Sequence, residues 1–275
     1  MYLDRDRPYE ACEVLEDAVR EVRELYGANS FEDADVLNHL GEAEVAAGRR
    51  QRAAAAFQGA RESLSYWQIV NGGGPEVSEA EHLASAPSEQ ALAARVLDKR
   101  LTISEGRNLV KLGEHMKAEA LLRRHLAFEE DEHRTEMGGF SLAIVPAIDL
   151  LAYVKMNQGT EAGYAESRAL YERALAVTEV QVRDDNLQLL RRYENLGMAC
   201  FRARDWPASQ AWFRRADALL KAVGREDDDE DVQRVVRNIS QAARMEHEQH
   251  LREQQAKLDE KRKAKEKKLR AMGLM

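Results

Sequence analysis

One glycine recurs in this chain with a fixed pattern downstream of it. Gly41 is followed by Ala53, Phe57 and Ala60, and Gly197 by Ser209, Phe213 and Ala216, at the same offsets of twelve, sixteen and nineteen residues. Gly106 is followed in that register by Ala118, Leu122 and His125. Two helices joined by a tight turn approach closely only where one offers Gly or Ala to a bulky residue of the other. The pattern therefore predicts repeated helix pairs, with Phe57, Leu122, Tyr171 and Phe213 as the bulky residues. A single pair cannot bury its apolar face, so the pairs must stack.

The small residues that mark the first helices fall at Gly41, Gly106, Ala152 and Gly197, with Ser167 in its second helix three residues late. Seven residues after the first three marks stand Gly48, Gly113 and Gly159, which supply the left-handed conformation that stops a helix. In the fourth repeat Arg204-Asp205 takes that place, and Pro207 opens the second helix, where a missing N–H does no harm. Thirty residues separate Ala11 from Gly41, and thirty again separate Ser167 from Gly197. With the twelve-residue offset the period is 42.

Residues 170–224, LYERALAVTEVQVRDDNLQLLRRYENLGMACFRARDWPASQAWFRRADALLKAVG, resemble the tetratricopeptide repeat (TPR) of the longer-helix type found in kinesin light chains. The resemblance covers about residues 9–224. It departs from the pattern in a 23-residue excess between the first two marks and in His125, where Ala is usual. It implies an all-α, right-handed α-solenoid of about four and a half TPR-like helix pairs with a long C-terminal helix. Few aromatics, 5 prolines and abundant Ala, Leu, Glu and Arg agree with an all-helical chain.

The ends and the insertion are distinctive. Residues 9–26 carry Ala11, Leu15 and Ala18 and match a second helix, so the solenoid is expected to open on a half repeat. Thirty residues after Ser209 lies Ile239, and Val235, Val236, Ile239 and Ala242 form one apolar stripe. A capping helix is therefore expected over 229–245, its N-terminus favoured by the acidic run 226–231. Residues 246–275 have strong helix formers and little to bury, which suits a charged projecting helix or a frayed tail. Residues 72–89 (GGGPEVSEAEHLASAPSE) read as a flexible loop insertion.

Catalytic and ligand motifs are missing from the sequence. Gly72-Gly73-Gly74-Pro75 lacks the Gly-Lys-Ser/Thr ending of a phosphate loop, and there is no Gly-x-Ser-x-Gly. His247 and His250 sit three apart beside Glu246 and Glu248, without the i,i+4 pair of a zinc-protease helix. His39, His82, His115, His125 and His133 show no ligand spacing. The expectation is a non-enzyme with no metal and no cofactor. Cys12 and Cys200 fall on helical core positions, which fits small buried side chains in a reducing compartment. The first residues are charged from position 4, with no apolar segment of a signal peptide, and no run suits a membrane span. A cytoplasmic, cytoskeletal or ciliary location is expected. The sequon Asn238-Ile239-Ser240 lies on the capping helix and reads as chance.

The resemblance implies a groove lined by the first helices, with positions three before, one after and four after each mark pointing inward. These are Asn38, Glu42 and Val45; Ile103, Arg107 and Val110; Asp149, Tyr153 and Met156; and Glu194, Met198 and Phe201. The surface is mixed and grows more apolar toward the later repeats. Two readings of Tyr153, Met156, Met198 and Phe201 stand side by side: peptide contacts, or packed core. Chaperone-binding relatives clamp a terminal carboxylate with Lys, Asn and Arg. Only Asn38 and Arg107 match that set, and Glu42 and Glu194 would repel a carboxylate, so no such clamp is expected.

The net charge of −8 argues against a general nucleic-acid binder, yet residues 257–270 hold eight Lys/Arg against three acids. Those basic residues are Lys257, Lys261, Arg262, Lys263, Lys265, Lys267, Lys268 and Arg270. They form either a solvated helix face or a contact for an acidic polymer such as a tubulin surface or RNA. No aromatics are interleaved, so base stacking is not suggested. The expected function is a protein-interaction scaffold that takes partner peptides or helices in the groove, as a fixed cytoskeletal subunit or a soluble cargo or signalling adaptor. The open half repeat is a second place for a stacking partner.

Overall fold

The structure, a computed structural model, describes residues 7–71, 89–132, 142–182 and 187–271. All regular structure among them is helical. The chain divides into two compact units, Met1–Gln158 and Gly159–Met275.

The first unit holds α1 (Pro8–Tyr26), α2 (Phe31–Ala46), α3 (Arg50–Val70), α4 (Glu89–Leu112), α5 (His115–Glu132) and, after a 3₁₀ turn at Leu142–Ile144, α6 (Val145–Asn157). Gly41 is the closest approach between α2 and α3: a methyl group there would stand 2.4 Å from the Phe57 ring. Phe57, Leu64 and Leu101 are fully buried in the same core as Ala34, Ala53 and Ala60. At Gly106 the space is wider, with Leu122 and Leu150 3.2 and 3.1 Å from such a methyl. Ser30 caps α2 by accepting from the Asp33 N–H. The buried Asp33 carboxylate in turn accepts from Arg23 Nε and Ser63 Oγ, both at 2.7 Å. That ties α1, α2 and α3 together through one satisfied charge. Gly48 and Gly113 take φ of +77° and +80° where the first helices stop.

The second unit holds α7 (Glu161–Gln181), α8 (Leu187–Arg202), α9 (Trp206–Ala222) and α10 (Glu230–Ala271). Gly197 meets Phe213 as Gly41 meets Phe57, and the Ser209 hydroxyl donates to the Gly197 carbonyl at 2.9 Å. Arg204 adopts φ +62°, the left-handed turn that glycine supplies in the other repeats. Asp205 then caps α9 through the Ala208 N–H, with Pro207 in the first turn. Helix α10 is unbroken for 42 residues and seats Val232, Val235 and Ala242 in the core. Val236, expected on that stripe, is instead 44% exposed: Val232 lies three residues before Val235, and Val236 falls a further 100° round the helix. The seat reaches Gln249, which accepts from Trp206 Nε1 at 2.7 Å. Residues 72–88 of the expected loop lie outside the described residues.

Candidate interaction surface

In the first unit α2 and α4, and α4 and α6, lie side by side, forming a wall of first helices. Asp35, His39 and Glu42 project from α2 toward Arg100 and Ser104 of α4. Ser104 Oγ donates to Glu42 Oε1 at 2.7 Å, and Arg100 donates to Asp35. His39 stands 3.9 Å from Asp35 and 3.8 Å from Glu42. Beside this network opens a cleft of about 400 Å³ with Phe31, Leu92, Val96 and Leu97 in its lining and Asp35 and Arg100 at its charged edge. Leu92 and Val96 are 55% and 58% exposed and sit side by side on one helix flank.

The residues expected in the groove fall into two groups. Asn38, Asp149 and Met156 are buried, so these side chains support the wall from within. The Asn38 amide has no hydrogen-bond partner among the described residues. Glu42, Val45, Ile103 and Val110 are half-buried, and Arg107 and Tyr153 are exposed. In the second unit Glu194 receives a two-pronged contact from Arg234 at 2.9 and 3.2 Å. Met198 and Phe201 are half-buried and line a cleft of about 240 Å³ with Arg202, Phe213, Asn238 and Gln241. Phe201 also packs edge-on to Trp206, with ring centroids 4.9 Å apart.

The cleft at Leu92 and Val96 escaped the sequence reading because the register counted only the turn around each mark. Its signal was present: Leu92, Val96 and Ile103 are spaced by four and seven, one helical face extending N-terminally from Gly106. The 24-residue α4 accounts for part of the excess between the first two marks.

Beyond Gln249 helix α10 is exposed on all sides through Lys265, including Lys257, Lys261, Arg262 and Lys263. The side chains of Lys267, Lys268 and Arg270 lie outside the described residues. Cys12 and Cys200 are free, buried thiols, and burial raises Cys200 to about 11 despite the nearby Arg168. Among the described residues no group of His, Cys, Asp and Glu is placed to hold a metal ion, and no helix is long and apolar enough to cross a membrane.

No protein-family model and no curated protein matches the chain. Solved structures do match. BtubC (BKLC) from P. vanneervenii is similar with a TM-score of 0.61 and 14% identity, over 88% of this chain and 85% of that one. A Podosopora anserina protein described as a kinesin light chain with nearly identical TPR-like repeats matches with a TM-score of 0.58 and 18% identity, over 82% and 92% of the two chains. A variant of that protein matches at 0.59. The chain is thus an all-α protein with the TPR-like solenoid fold.

Proposed function

We propose that this chain is a non-enzymatic protein-interaction scaffold that holds a partner peptide or helix along its first helices. The observation that carries this reading is the placement of accessible apolar side chains beside charged ones on those helices. Leu92 and Val96 beside Arg100–Asp35 offer an apolar cleft with a charged edge, and Met198 and Phe201 beside Arg202 offer a second. Such a surface suits a segment whose apolar residues enter the clefts while its polar groups meet the edge. Of the residues expected in the groove, Tyr153, Met198 and Phe201 remain candidates for direct contact. Asn38, Asp149 and Met156 act as supports.

The test is selection of binding peptides from a random display library, followed by titration against Val96→Glu and Phe201→Ala. The reading expects each selected peptide to lose about tenfold or more in affinity with one of these variants while helical content stays unchanged. A large loss of stability in Phe201→Ala or Tyr153→Ala would assign those rings to the core instead.

A cytoskeletal role is a second reading, supported by the basic residues of α10 and by a structural neighbour described as a kinesin light chain. Here Lys257, Lys261, Arg262, Lys263 and Lys265 contact an acidic polymer such as a tubulin surface, fixing the chain in a cytoplasmic, microtubule or ciliary assembly. Salt-sensitive co-sedimentation with microtubules that is lost on deleting 257–275 supports it. Co-sedimentation with RNA alone would favour an RNA-associated factor, and neither would leave the adaptor reading.

A further inference from the structure

Helix α1 packs on α2 through Ala11, Cys12 and Leu15, and among the described residues nothing covers its opposite side. That side is strongly patterned. Glu10, Glu13, Asp17, Glu21 and Glu24 are all exposed and recur at three- and four-residue spacing, which places them in one stripe. Val14 and Leu25, 53% and 76% exposed, run along one border of it. Glu10 pairs with Arg7 at the N-cap of α1 and Asp17 with Arg20 on the helix, while Glu13, Glu21 and Glu24 have no Arg or Lys partner among the described residues.

The outer face of α10 is the counterpart. Lys257, Lys261 and Lys265 recur every four residues, and Leu251 and Leu258, 49% and 60% exposed, run beside them. Of the acids of this segment, Asp259 falls off that face by helical phase and Glu260 flanks it, while Glu253 continues the lysine row one turn toward the N-terminus. Toward its N-terminus the same face carries Arg244, Ser240 and Val236, which line a shallow depression of about 410 Å³. The 19 residues of α1 span roughly 28 Å at helical rise. The part of α10 beyond Gln249 is slightly longer, roughly 33 Å.

The two helical segments are therefore similar in length, and their faces are opposite in charge and alike in having an apolar strip beside the charged one. We infer that the outer face of α10 in one copy of this chain docks along the acidic face of α1 in a second copy. Such a head-to-tail contact is heterologous: it closes into a ring or propagates as a filament.

The test is sedimentation velocity of the full chain over a range of concentrations at low and high salt. Concentration-dependent association that weakens with salt is expected. The triple variant Lys257→Glu, Lys261→Glu, Lys265→Glu should weaken it by about tenfold or more, and so should Glu13→Lys, Glu21→Lys, Glu24→Lys. Mixing the two variants should restore association with each other, because the charges are again opposite. All six positions are exposed, so folding is checked simply by unchanged helical signal. A chain that stays monomeric at every concentration overturns the inference, including the case where the tail folds onto its own α1. Association that ignores both triple variants overturns it as well, by placing the contact elsewhere.

Discussion

At the scale of single residues the repeat rests on a few positions where nothing larger fits. Gly41→Ala adds a methyl 2.4 Å from the Phe57 ring, inside a buried core. It should destabilise by about 1–3 kcal/mol in denaturant unfolding, although Ala favours helix over Gly by about 1 kcal/mol. Adding Phe57→Leu should return part of that loss; an unchanged or raised midpoint for Gly41→Ala alone would show that the two helices do not meet there. Arg204 sits at φ +62° with a side chain that pays for that geometry. Arg204→Gly should therefore raise stability by about 1 kcal/mol. Glu119 and Lys155, both nearly buried, pair at 2.6 Å. Burial pushes the Glu119 carboxyl up, but hydrogen bonds from Lys155 and Gln158 and the charges of Lys155 and Arg123 outweigh it, and its pKa is lowered. A carboxylate with a lowered folded pKa contributes fully above its unfolded value of 4.5 and loses that contribution as pH falls through the folded value. Glu119→Gln should cost about 3 kcal/mol near neutral pH, and the gap to the parent should narrow below pH 4.5.

At the scale of elements the helix ends set how the pairs turn back on themselves. Asp205 caps α9 through Ala208 and also pairs with Arg168 at 3.2 Å on α7. Asp205→Ala should cost about 1 kcal/mol, read as a lower thermal midpoint of the full chain. The helix pairs were legible in the sequence because Gly41–Phe57 and Gly197–Phe213 leave no alternative residue types at the contact. The stops at Gly48 and Gly113 were legible for the same kind of reason, since a left-handed turn leaves a strong composition signal. The start of α4 was not legible: turn-forming residues dominate 72–88 and hid the face that Leu92 and Val96 continue. The swap of Val236 for Val232 on α10 was hidden by two adjacent valines that periodicity alone ranks equally. Nor could spacing separate the buried Asn38, Asp149 and Met156 from the exposed Tyr153, because an inward-pointing position on a first helix is covered or open depending on its neighbouring helix.

At the scale of the whole molecule, the TPR-like fold supplies first helices in each compact unit whose clefts set apolar side chains beside charged ones. Those clefts are the surfaces on which the scaffold reading depends. The most direct measurement is backbone NMR or hydrogen-exchange mapping of the full chain with a peptide selected for binding to it. The account predicts that protection and shift changes concentrate on α2, α4 and α8, around Phe31, Leu92, Val96, Arg100, Met198 and Phe201. Changes confined to the outer faces of α3, α5 or α9, with those first helices unaffected, would contradict it.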